Sequence, residues 1–240
     1  GRAAVDQYRQ YLEAQTAELV TATKAFTDAV DRGNVERAKA LYAPSRIAYE
    51  RIEPVAETFG DLDPKIDARE GDVPKKEWGG YHYLERKLWV DGTADGLTSA
   101  TAALNENVRT LENLVKDVDL QPGAIANGAV ELLNEVSASK ITGEEERYSH
   151  TDLVDFEANV QGAQAAFEAV KPILETKDPD LAADVEAKFA AVTAALAPYR
   201  AGTTFVAYTA LTNADTKALA QAIDALAEPL SKVGKEVVSS

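Results

Sequence analysis

An all-α fold is predicted by three features of this chain. Apolar residues recur at helical spacing over stretches of roughly 18 to 30 residues, the mark of one buried helix face. No segment alternates apolar and polar residues between hairpin turns, as a half-buried strand would. Alanine is abundant and aromatic residues make up only 7%, a composition that lets helices pack closely. Such long stretches, roughly twice the usual helix length, joined by short links, predict antiparallel bundles. A break at residues 121 and 122 splits the chain into halves, 1–120 and 121–240. The sequence YERIEPVAE at 49–57 faintly echoes FEAVKPILE at 167–175. The expected architecture is therefore two pseudo-symmetric antiparallel four-helix bundles.

In chain order, the first helix covers residues 3–31 with Tyr8, Leu12, Leu19, Phe26 and Val30 inward, and Gly33 stops it. Asn34 is a suitable N-cap for the second. Pro44 is expected to kink or restart that helix, with Ser45 near the break. The pattern resumes through Ile47, Ile52, Val55 and Phe59 and closes at Gly60. Residues 60–79 form the one long irregular stretch, with Pro64 and Pro74 and with Asp61, Asp63, Asp67, Glu70 and Asp72 among its acidic residues. Long ordered loops tend to be functional. A helix follows from about residue 80, with further helices at 94–118, from Pro122, from Thr151 or Asp152 to about Thr176, from Pro179 to Tyr199, and from Thr212 or Asn213 onward.

Composition excludes several classes of function. Forty acidic and 25 basic residues give a net charge of −15, and a nucleic-acid binder needs a basic face. The chain has no cysteine and no methionine, so disulfides and thiolate metal sites are excluded. Any metal site must use oxygen ligands and at most two imidazoles, His82 and His150, a set suited to iron, manganese, calcium or zinc. No apolar run is long enough to cross a bilayer, and no signal peptide is visible. The opening Gly1-Arg2 lacks a starting methionine, and a removed export signal or lipid anchor would leave no trace, so composition alone does not locate the protein.

The stretch 78–89, WGGYHYLERKLW, holds both tryptophans and His82. On a helix His82 and Glu85 share a face, either as metal ligands or as a hydrogen-bonded pair locking the helix in place. Glu50, Glu53 and Glu57 form a carboxylate stripe at i, i+3 and i+7, which is a solvated face unless a cation intervenes. A second polar cluster, residues 142–152, places His150 beside Glu144, Glu145 and Glu146.

These motifs carry a resemblance. Residues 80–85 (GYHYLE) fit the Gly-x-His-x-x-Glu signature of the imelysin-like, M75 peptidase family. Residues 49–57, 60–69 and 141–152 resemble its EfeO/EfeM iron-uptake branch, so the likeness covers nearly the whole chain. The resemblance implies paired four-helix bundles and an exported protein at the periplasmic or extracellular face of the membrane. It implies capture of iron, Fe(II) or Fe(III), and delivery to an EfeU-type permease beside a haem peroxidase of the same system. Many members carry an N-terminal cupredoxin domain that this sequence lacks, which leaves an EfeM-type protein or one domain of a longer EfeO. The expected form is a monomer that meets membrane only through a removed anchor.

A carboxylate-rich site in relatives matches Glu50, Glu53 and Asp67, together with one glutamate of 144–146, taken as Glu145. His82 and Glu85 complete that site or form a neighbouring one. An added imidazole brings Fe(II), Zn(II) or Cu(II) into range of an otherwise Fe(III)-like set. Tyr49, Tyr81, Tyr83 and Tyr148 are possible phenolate ligands, with aromatic packing as their other role. A zinc peptidase would need three ligands, an open position and a general base; His82 and Glu85 supply two, and His150 would have to fold close. No catalytic residue is assigned. A binder of acidic polysaccharide would need a basic groove, for which Lys75, Lys76, Arg86 and Lys87 are the candidates.

Overall fold

A computed structural model describes residues 1–238, apart from the side chain of Glu57. Among these residues the chain forms nine α-helices and one minimal hairpin, and the all-α expectation holds. The helices are α1 (Arg2–Asp31), α2 (Val35–Ile52), α3 (Leu62–Asp67), α4 (Tyr81–Trp89) and α5 (Thr98–Asp117). They continue as α6 (Pro122–Ala138), α7 (Asp152–Glu175), α8 (Pro179–Leu196) and α9 (Asn213–Val238). The hairpin pairs β1 (Arg200–Ala201) with β2 (Thr204–Phe205), antiparallel. No helix among the described residues is long and apolar enough to cross a membrane.

Local chemistry sets most helix ends. The Asn34 side chain accepts from the Arg37 N–H at 3.0 Å and caps α2. Asp178 caps α8 in the same way through the Leu181 N–H at 2.9 Å. Pro122 and Pro179 occupy first helical positions, where a missing N–H costs nothing.

Three expectations need correction. Pro44 does not restart its helix: α2 runs unbroken from Val35 to Ile52. The helix packs against α1 on one side and α7 on the other, and this burial outweighs the one hydrogen bond that proline removes. The pattern through Phe59 is not α-helical to its end, because Glu53–Phe59 tightens into a 3₁₀ helix at Pro54. Residues 60–79 are not wholly irregular, since α3 forms within them around the buried Leu62 and Ile66.

Helix α7 is the central element, touching α1, α2, α6, α8 and α9. Its approach to the end of α2 depends on Gly162. A Cβ there would lie 2.3 Å from the Arg51 carbonyl oxygen, closer than any real contact. Gly162 thus sets the spacing at which α7 side chains reach Glu50 and Glu53. Gly162→Ala should destabilise the protein by about 1–3 kcal/mol through overpacking, a melting-temperature loss of roughly 2–12 °C at this size. Differential scanning calorimetry would show it, and an unchanged transition would mean the helices can part at no cost.

Candidate metal centre

The site lies where α2, α3, α4, α7 and the loop after α6 meet. Helix α4 can begin where it does because Gly80 adopts φ 81° and its missing Cβ would sit 2.4 Å from the Ile66 carbonyl oxygen. This glycine brings α4 hard against α3, and so brings His82 to Asp67.

His82 is buried and joins two pairs of carboxylates. Its Nδ1 lies 3.0 Å from Glu85 Oε2 and 3.6 Å from Glu146 Oε2. Its Nε2 lies 3.2 Å from Asp67 Oδ1 and 3.5 Å from Glu145 Oε1, with no hydrogen bond of good geometry to either. Burial and the Arg46 charge oppose the imidazolium, but Glu146, Asp67 and Glu145 outweigh them and hold its pKa well above the ordinary value.

Arg46 is the counter-charge at the centre, and its side chain has no exposed surface. It ion-pairs with Glu50, with Asp67 at 2.8 Å and with Glu146 at 2.7 Å. Glu145 and Asp155 stand 3.7 Å away. Lys140 is the second buried cation, 3.0 Å from Glu50, 2.6 Å from Glu53 and 3.1 Å from the Asn159 amide oxygen. Glu85 Oε1 accepts from the Tyr148 and Ser149 N–H groups at 3.1 and 2.9 Å and from Ser149 Oγ at 2.9 Å. Burial raises the Glu85 pKa, but His82 and these donors bring it below the ordinary range.

Negative charge exceeds positive here. Glu50, Glu85, Glu145, Glu146, Asp152 and Asp155 are buried, with Glu53 and Asp67 partly buried beside them. Arg46, Lys140 and an imidazolium do not balance them, and the excess shows as retained protons. Burial, with Glu85 adding to it, pushes Glu146 up to about 8 against the pull of Arg46. Burial drives Asp152 to about 7 and Asp63 to about 6. It also drives Glu53 and Asp155 well above the carboxylate range, helped by Glu50 at Glu53 and by Glu146 at Asp155. Burial opposes ionisation at Asp67 and Glu145 too, but Arg46 at the first, and Lys140 and His82 at the second, more than offset it and keep both pKa values low.

Among the described residues, four sets of side chains have ligand atoms within 4.8 Å of one another: Glu50–Glu53–Asp67, Asp67–His82–Glu145, His82–Glu85–Glu146 and Glu50–Glu145–Asp155. All six residues expected as ligands, Glu50, Glu53, Asp67, His82, Glu85 and Glu145, fall in at least one set. Glu85 meets His82 on the face turned away from Asp67. A cleft of about 460 Å³ opens onto the first two sets, walled by Glu53, Asp63, Asp67, Glu131, Glu135 and Glu145. The Nε2 of His82, which makes no well-directed hydrogen bond, and the surplus of carboxylate oxygens fit a hard or borderline cation.

Other candidates lie elsewhere. His150 lines a different groove with Gly143, Arg147 and Tyr208, so it does not supply a third ligand. The Glu57 side chain lies outside the described residues. Tyr49 donates to Asp63, Tyr81 pairs with Thr23, Tyr148 donates to Glu70, and Tyr83 packs edge-on to Trp78. Arg86 and Lys87 pair with Asp91 at 3.4 and 2.9 Å, while Lys75 and Lys76 are exposed. Sequence reasoning missed Arg46, Lys140, Asp155 and Asn159, and named Glu146 only as one of three alternatives. The available signal was a charge or amide set among apolar helix positions, as Arg46 is between Tyr42 and Tyr49.

An all-α chain with a buried, acid-rich histidine site under a Gly-x-His-x-x-Glu helix defines a class. The Imelysin family pattern (Peptidase_M75) matches residues 4–233, and the chain belongs to that family. It is 47% identical over 234 residues to proteins named "Iron uptake system component EfeO" from Escherichia coli K12, Shigella flexneri and Shigella sonnei. The match covers 96% of this chain and 62% of each relative, so the chain spans less than two thirds of their length.

The retained protons predict how stability varies with pH in the metal-free protein. Groups with raised folded pKa values stabilise fully below their unfolded values, near 4 for carboxylates. That contribution is lost as pH rises through about 6, 7 and 8 for Asp63, Asp152 and Glu146. His82 acts in the same direction. The depressed Asp67, Glu85 and Glu145 act oppositely, losing their contribution only as pH falls below about 4. The melting temperature in chelator should therefore fall steadily from about pH 5 to about pH 8.5, and a rise over that range would contradict these ionisation states.

Proposed function

We propose that this chain is a metal-binding protein of an iron-uptake system, capturing iron in the acidic cleft. It acts as an exported carrier, not as an enzyme. Glu50, Glu53, Asp67 and Glu145 supply oxygen ligands, His82 supplies a nitrogen through Nε2, and Glu85 orients the ring from its other side. The observation that carries this reading is the surplus of buried carboxylate around His82, whose Nε2 faces Asp67 and Glu145 without a well-directed hydrogen bond to either. A multivalent cation resolves both conditions together. The name of the EfeO relatives selects iron from the ions such a set accepts. A carboxylate-dominated set favours Fe(III), and participation by His82 extends the range to Fe(II), Zn(II) and Cu(II).

Iron is cargo on this reading. The cleft admits it, the outer carboxylates Asp63, Glu131 and Glu135 attract it, and the inner set holds it. The onward steps we assign are delivery to a membrane permease beside a haem peroxidase of the same system, at the periplasmic or outer face of the membrane. The family's peptidase name describes a different use of a metal, in which the ion activates a water for attack on an amide. Hydrolysis of peptides that is abolished by chelation and by His82→Ala would favour that use.

Calorimetric titration of metal-stripped protein with Fe(III), Fe(II), Zn(II) and Cu(II) tests the proposal. Binding at micromolar levels or tighter is expected for at least one iron state. Glu53→Gln or Asp67→Asn should weaken it at least about tenfold, about 1.4 kcal/mol. Failure of every ion to bind would overturn it.

A further inference from the structure

We propose that Lys140 is a tethered counter-ion occupying the place of the cargo, and that metal loading expels its ammonium from between Glu50 and Glu53. The inference rests on the metal-binding reading and goes beyond it, assigning a release device to a residue that is not a ligand.

Three observations carry it. The Lys140 ammonium lies 2.6 Å from Glu53 Oε2 and 3.0 Å from Glu50 Oε2, so it sits on two of the three carboxylates in the Glu50–Glu53–Asp67 set. A cation bound to the same oxygens at roughly 2.0–2.2 Å would face the ammonium across shared ligands. In a buried site the metal and the ammonium repel strongly at that separation, which drives the lysine outward. The site also differs around its two buried cations. Arg46 lies over the Tyr81 ring at 5.1 Å and is ringed by carboxylates on several elements, which fixes it. Lys140 hangs by a flexible stem from the short turn Lys140–Thr142.

The third observation is a place for the displaced charge to go. Glu135 lines the cleft wall, lies within electrostatic reach of Lys140 and stands five residues before it. Glu145 stands five residues after it, so the loop that releases the lysine also carries a ligand. With Lys140 inserted, Glu50 and Glu53 are paired and the empty protein is stable. With metal bound, the lysine waits beside the cleft, and its return competes with the cargo. Affinity is thereby lowered to a level from which the cargo can be handed on.

The test compares wild type, Lys140→Met and Lys140→Arg by calorimetry with Fe(III) supplied as its nitrilotriacetate complex and with Zn(II). Lys140→Met should bind at least about tenfold more tightly than wild type, and Lys140→Arg should not. Tighter binding by Lys140→Met supports the inference even if wild type binds no ion, an outcome that would sink the carrier function alone. Wild-type binding with equal or weaker binding by a folded Lys140→Met would overturn the Lys140 role and leave the carrier function standing. Failure of both proteins to bind overturns both. A measurement on the wild-type chain covers the case in which the variant does not fold. Reductive methylation of Lys140, read by peptide mass spectrometry, should rise at least several-fold on metal loading; unchanged or lower labelling of loaded protein overturns the inference.

Discussion

A guanidinium with no exposed surface constrains everything around it. Burying such a charge costs several kcal/mol unless close, well-placed partners repay it. For Arg46 the partners come from separate parts of the chain: Glu50 from its own helix, Asp67 from the end of α3, Glu146 from the loop after α6 and Asp155 from α7. Each partner fixes the element that bears it. The same convergence brings in more carboxylates than one arginine can neutralise, and the surplus is the chemistry of the site. Stability and affinity are therefore opposed here. The groups that make the pocket attractive to a cation are those that cost most to fold without one.

The aromatic residues hold this charge network in a dry setting. Tyr42 meets Phe26, Tyr81 and Trp89 edge-on, and Phe26 stacks on Tyr81. Tyr42 also donates to Glu146 at 2.8 Å and lies 3.3 Å from His82 Nδ1. One residue thus closes the apolar side and orients the polar side. Excluding water there strengthens every remaining electrostatic contact, so the pocket depends on that packing as well as on its charges.

What could be read from sequence was local. Caps and stops such as Asn34, Gly33 and Pro122 act within one turn, and they mark the helices correctly. Glu50 with Glu53, and His82 with Glu85, are each three residues apart, so helical geometry alone puts them together. The restart expected at Pro44 does not occur, because the proline's penalty is local while the burial that overrides it comes from α1 and α7. Arg46 and Lys140 were passed over because a charge within a helix or turn ordinarily faces water; only the three-dimensional packing shows that these do not. Glu145 was the choice among three neighbouring glutamates. In the structure Glu145 turns to Nε2 of His82 and Glu146 to Nδ1, while Glu144 stays outside and pairs with Arg147. No periodic rule separates adjacent residues in an irregular loop.

The ligand sets draw on residues as far apart as Glu50 and Asp155. A fragment ending before α6 would contain His82 and Asp67 and yet no pocket. Cargo would therefore act as a clamp on the whole tertiary structure, since any ion bound only by the native chain stabilises it by mass action. On the proposed metal-binding reading, the empty protein would be more open to proteases than the loaded one.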